Sequence, residues 1–213
     1  MSDLFRAISE HQVNRVASVL AGGADPNKRL DQYPYWRPLE AIIEEGVDRD
    51  APADVVLEVV RMLIEHRADV NFWYDDRKLT PLLAAMHFLD RALPRMLLEN
   101  GADPNVFDES GFSPLMLAVR ASDVGLVKTL LDHGANKGVN SVSPILGFGA
   151  LRSAIRALSV PIVKLLLDAG ADPHAVTSDG DTPMSAMPKR NESNAERWDA
   201  VTALVAARNK RFR

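Results

Sequence analysis

The pentapeptide GADPN stands at residues 23–27 and again, unchanged, at residues 101–105. Near copies follow at residues 67–71 (RADVN), 134–138 (GANKG) and 170–174 (GADPH). Apolar stripes precede the later copies: LPRMLLEN at 93–100, VGLVKTLLDH at 124–133 and PIVKLLLDA at 161–169. In each stripe apolar residues recur at steps of three and four, which buries one face of a helix. The glycine then supplies the left-handed conformation that closes a helix C-terminus. The Asp-Pro-Asn that follows cannot continue the helix, and its Asp and Asn side chains are expected to bond the turn backbone locally. The pentapeptide is a stop-and-turn device, and a catalytic centre does not need five of them.

A second phrase recurs downstream: RPLEAI at 37–42, TPLLAA at 80–85, SPLMLA at 113–118 and TPMSAM at 182–187. Ser or Thr before Pro starts a helix, the hydroxyl acting as N-cap and Pro sitting where its missing N–H costs nothing. The glycine-equivalent positions 23, 67, 101, 134 and 170 lie 44, 34, 33 and 36 residues apart. A period near 33 with these two phrases resembles the ankyrin repeat, over essentially the whole chain. Tetratricopeptide units share the length but lack the GADPN turn and the TPL start. The resemblance implies an all-α fold, an ankyrin-repeat solenoid of about six helix-pair units with two degenerate caps and short hairpin-like fingers.

Two departures from the family pattern stand out. The family usually has His after TPL, where its ring bonds neighbouring loops; Glu40, Leu83, Met116 and Ser185 stand there instead. That polar network is expected to be weakened or replaced by packing. The 44-residue interval carries about ten extra residues, and the polar stretch GVDRDAPA at 46–53 places them between the two helices of one unit.

The stretch 111–134 aligns with 147–170 without a gap, so the fifth unit has lost its Ser-Pro start but kept its helices. The expected layout is one domain over 1–213, with units at about 1–27, 28–71, 72–105, 106–138, 139–174 and 175–213. The first unit is a helix pair near 3–9 and 12–21, with Arg6 and Arg15 at positions that internal units fill with apolar groups. The last begins at Thr182 and ends in a helix over 195–207, after a polar loop at 188–194. Polar outer faces on terminal units keep a solenoid soluble. At roughly 10 Å per helix layer, the array would run about 50–60 Å.

Charge and chemistry narrow the function. A net charge of −4 argues against nucleic-acid binding, because phosphate contacts need a basic surface. The absence of cysteine excludes disulfides and thiolate metal sites. The N-terminal stretch lacks a signal-peptide core, and no apolar run approaches membrane-spanning length. The expectation is a cytoplasmic protein with no membrane contact. His66 and His133 precede glycine-equivalent positions and are read as helix-end residues, favourable near a negative dipole end. SDGD at 178–181 lacks the spaced ligands of a calcium loop, and GFG at 147–149 is not followed by the GK[ST] of a phosphate cradle. No nucleophile, base and orienter assemble. The reading is not an enzyme, with no cofactor and no metal.

The resemblance places partner contacts on the fingers and the first helices of the units. By register the fingers are residues 30–36, 72–79, 107–112, 139–148 and 176–181. Tyr33, Tyr35, Trp36, Trp73 and Tyr74 crowd the first two fingers, beside Asp76 and Arg77; Glu109 and Phe112 sit on the third. Aromatics and Arg carry most interface energy. On the same face the helices present Glu44, Glu45, His87, Phe88, Arg120 and Arg156, running from acidic to basic along the chain. The expected function is a protein-protein interaction module, monomeric when free, that acts by occupying its partner as an inhibitor, an immunity or antitoxin-type protein, or an assembly partner. The alternative is an enzyme or small-ligand protein with a pocket near the insertion or the GFG finger.

Overall fold

The computed structural model describes residues 2–31, 36–48, 51–74, 78–87, 91–177 and 179–209. Eleven α-helices, and no strand, are formed among these residues. The chain divides into two compact units, residues 1–103 and 104–213.

The first unit holds three helix pairs: α1 (Asp3–Ser9) with α2 (Val13–Ala21), α3 (Pro38–Val47) with α4 (Ala53–Glu65), and α5 (Pro81–Ala85) with α6 (Ala92–Glu99). Within it α1, α3 and α5 pack in succession, and so do α2, α4 and α6. First helices therefore form one layer and second helices another. The apolar stripes face inward: Val56, Val59, Val60 and Leu63 of α4 and Leu93 and Leu97 of α6 are fully buried. Their steps of three and four residues are what a 3.6-residue period requires.

The second unit is built the same way from α7 (Pro114–Arg120), α8 (Val124–Asp132), α9 (Ala150–Arg156), α10 (Val160–Asp168) and α11 (Ala195–Asn209). α7 packs on α9, α8 on α10, and α10 on α11, while a single 3₁₀ turn at Pro183–Ala186 covers α9. TPMSAM thus starts a turn, not the full helix its phrase predicts.

The start and stop devices behave as read. Thr80, Ser113 and Thr182 accept hydrogen bonds from the N–H groups of Leu83, Met116 and Ser185 at 3.3, 3.2 and 3.3 Å. Each is followed by Pro at the first helical position. Every repeat turn has a left-handed residue: Gly23, Gly101, Gly134 and Gly170 at φ 88°, 85°, 102° and 98°, and Arg67 at 69°. His66 and His133 end helices as expected, each donating from Nδ1 to a carbonyl one turn back, Met62 or Thr129, at 2.8 Å.

The turn asparagines do more than the local reading assigned them. Asp25 and Asp69 do bond locally, accepting from the N–H two residues on at 2.8 Å. The asparagines instead reach the next turn. Asn27 donates to the Arg67 carbonyl at 2.9 Å and accepts from the Asp69 N–H at 2.7 Å. Asn71 does the same with Gly101 and Asp103 at 2.9 and 2.8 Å. In the second unit Asn105 donates to Gly134 at 3.2 Å, and Asn140 bridges Gly170 and Asp172 at 3.1 and 2.8 Å. A 3₁₀ turn at Ala135–Gly138 absorbs the irregular GANKG copy, so Asn140 takes the asparagine's place.

The insertion is partly helical. α3 has ten residues and α4 thirteen, against seven and nine in α7 and α8. Gly46, in the polar stretch expected between the two helices, lies buried inside α3. Leu83 and Met116, at the family's His position, are buried apolar residues, so packing replaces polar contacts there.

Candidate partner-binding surfaces

Each finger is closed by one backbone bond across its base, from Leu30 to Trp36, Tyr74 to Leu79, Asp108 to Phe112, Ser143 to Phe148, and Thr177 to Asp181, at 2.8–3.1 Å. This is the hairpin-like geometry expected, without ladder formation among the described residues.

In the first unit the finger after Asn71 sorts its aromatics by alternation. Phe72 and Tyr74 point inward and stack with centroids 5.4 Å apart, and the Arg37 guanidinium caps the Phe72 ring at 4.7 Å. Trp73, between them, is 48% exposed. Successive residues of extended chain face opposite sides, so one of three adjacent rings is presented and two anchor it. Tyr74, expected as a contact residue, is only 2% exposed and belongs to the core. Glu44 is also withdrawn, at 5% exposure, on α3, which packs against α1, α4 and α5. Glu45 is engaged within the unit, its Oε2 lying 3.0 Å from His11 Nε2. Trp36 is half-buried, its indole Nε1 enclosed without a hydrogen-bond partner among the described residues. His87 is exposed at the end of the next first helix. Tyr33, Tyr35, Asp76, Arg77 and Phe88 lie outside the described residues.

The second unit carries a groove of about 510 Å³ lined by Phe112, Met116, Val119 and Arg120 from one repeat, and by Phe148, Arg152, Ser153, Arg156 and Ala157 from the next. Arg120 and Arg156 end α7 and α9 and are exposed. Arg120 lies 5.2 Å from the Phe112 ring centroid, and Arg152 lies 5.9 Å from that of Phe148. Arg152 also bonds Asp181 at 2.7 Å, and this guanidinium holds the Asp181 carboxyl below its ordinary pKa, by hydrogen bond first and charge second. Glu109 is exposed at the fingertip, while Asp108 fixes the finger by accepting from the Phe112 N–H at 2.8 Å. Phe148 and Arg152 were not among the expected contact residues. Phe148 was readable, since the gapless alignment sets it opposite Phe112; Arg152 replaces the inward Met116, which gave no sign of a groove position.

No group of three or more His, Cys, Asp or Glu able to hold a metal occurs among the described residues. No helix among them is long and apolar enough to cross a membrane.

A family model described as ankyrin repeats (three copies) matches residues 53–141 and 84–177, more than half of the chain. No curated protein matches the sequence. Among solved structures, an ankyrin repeat domain from Acinetobacter baumannii AYE is 26% identical, with a TM-score of 0.74 and 97% of each chain covered. The ankyrin repeat domain of Bcl-3, described as a unique member of the IkappaB protein family, is 24% identical with a TM-score of 0.64, covering 95% of this chain and 98% of that one. The ankyrin repeat protein EF0377 is 21% identical with a TM-score of 0.69, at 96% coverage of both. The latter two identities speak to fold alone. Ankyrin repeats are in general protein–protein interaction modules. With the family pattern matched over more than half its length, and its turn, start and stacking repeated through the described residues, the chain belongs to the ankyrin-repeat family.

Proposed function

We propose that this protein is a non-enzymatic interaction module whose effect comes from occupying a protein partner, in the manner of a stoichiometric inhibitor or an immunity or antitoxin-type protein. The observation that carries this reading is Trp73. Its ring is half exposed on a finger, while its two aromatic neighbours are packed beneath it and Arg37 closes the stack. A large rigid ring presented from an immobile base loses little entropy on docking, which is how tryptophan becomes an interface hot spot. Of the described aromatics proposed in the first unit, Trp73 best satisfies both conditions; Tyr74 is core and Trp36 is half-buried.

The test begins by capturing the partner from native lysate and continues by calorimetric titration of that partner. Trp73→Ala should weaken binding by about 2 kcal/mol or more, roughly thirtyfold in Kd, with an unchanged melting temperature. Lys189→Ala, in the exposed loop before α11, should bind as wild type. If Trp73→Ala binds normally and Lys189→Ala does not, the finger is not the docking element.

A further inference from the structure

The groove of the second unit has a charge and a lining that favour one kind of occupant. Phe112 and Phe148 hold the same register in consecutive repeats, and so do Arg120 and Arg156, eight residues later. The groove is therefore a doubled Phe and Arg pair with an apolar floor of Met116 and Val119. Arg152 already has its carboxylate in Asp181. Arg120 and Arg156 are exposed and have no carboxylate partner among the described residues. Two unmatched guanidinium groups in one groove run against the chain's overall acidic balance of −4. A guanidinium fork matches a carboxylate in two parallel hydrogen bonds, and stacking on an aromatic ring holds such a fork in place. At about 510 Å³ the groove is too large for a simple ion and falls in the range that accepts several side chains.

We propose that this groove takes an acidic segment of a protein partner. Carboxylates meet Arg120 and Arg156, and an apolar side chain enters between Phe112 and Phe148. This assignment rests on the reading of the chain as an interaction module and names the partner chemistry of its second unit. A nucleic-acid strand fits less well: the floor is apolar, and the adjoining fingers carry Asp108, Glu109 and Asp179, which repel a continuous polyanion.

The test is to pan a random displayed-peptide library against the full chain, the charge-reversed variant R120E/R156E, and Trp73→Ala. The wild type should enrich peptides with Asp or Glu flanking Leu or Phe, and the charge-reversed variant should lose them. A synthetic copy of the best peptide, read by fluorescence polarisation, should bind R120E/R156E at least about tenfold more weakly, bind more weakly at high salt, and resist displacement by a single-stranded oligonucleotide of equal charge. Thermal melts run in parallel; should charge reversal lower the melting point, R120Q/R156Q replaces it with the same expected loss. Acidic peptides retained by the variant, or displaced by the oligonucleotide, would overturn the proposal. Enriched peptides without carboxylates, lost only in Trp73→Ala, would overturn the acidic groove and leave the interaction-module reading standing. No enrichment on any form of the chain would overturn both.

Discussion

Arg67 occupies a left-handed backbone position, φ 69°, that the other repeat turns give to glycine. A side chain there costs about 1–2 kcal/mol through its clash with the following carbonyl, whereas glycine adds roughly 0.5–1 kcal/mol of chain entropy to lose on folding. Arg67→Gly should therefore stabilise by about 0.5 kcal/mol net. The converse holds at Gly101, where a Cβ would meet nothing within 4 Å and only the backbone objects. Gly101→Val should destabilise by about 1–2 kcal/mol. Urea denaturation midpoints measure both, and an unmoved midpoint for Gly101→Val would remove it from the turn. These positions were legible because a turn is dictated by its own few residues. The fate of neighbouring rings was not: WY at 73–74 reads as two exposed aromatics, and only the extended path of the finger sends one out and one in.

At the level of the helix pair, the repeated turns are clamps between units as well as ends of helices. Asn71 spans from its own turn to the next, bonding Gly101 and Asp103. A neutral hydrogen bond contributes about 0.5–1.5 kcal/mol net, and Asn71 is exposed, so Asn71→Ala should cost about 1–2 kcal/mol. The Asp103 amide should lose protection in hydrogen exchange, while amides within α1 and α2 keep theirs. Wild-type protection at Asp103 in the variant would show that the bridge contributes nothing. The letters of the clamp stand in the sequence, but its partner lies some thirty residues away, and nothing local announces the pairing. Asn140 makes the point more strongly, since it serves the clamp from outside its pentapeptide.

For the molecule as a whole, helix faces that no further helix covers set how much apolar surface is left to water. α11 packs on α10, buries Val201 and Val205, and is tied back by Trp198 Nε1 donating to the Pro188 carbonyl at 3.0 Å. Its exposed residues are mostly charged or small, as suits a face left to water. Two buried valines at about 1.5 kcal/mol each put the loss near 3 kcal/mol. A chain ending at Asn194 should thus melt roughly 6–12 °C lower and bind more of a hydrophobic dye. An unchanged melting temperature would mean that α11 is no cap.

The repeat period, the ends of the helix pairs and the hairpin-like fingers were determined by the sequence alone. Each rests on interactions within a few residues: a hydroxyl cap, a proline at a helix start, a left-handed glycine, an apolar stripe. Which side chains remain available to a partner was decided by tertiary packing. The helices packed around α3 withdrew Glu44, the stack with Phe72 claimed Tyr74, and His11 engaged Glu45. The pairing of consecutive repeats also set Phe148 and Arg152 beside Phe112 and Arg120. Exposure is a property of what packs alongside a residue, and several of those neighbours, such as His11 for Glu45 and Arg37 for Phe72, come from one repeat away in the chain.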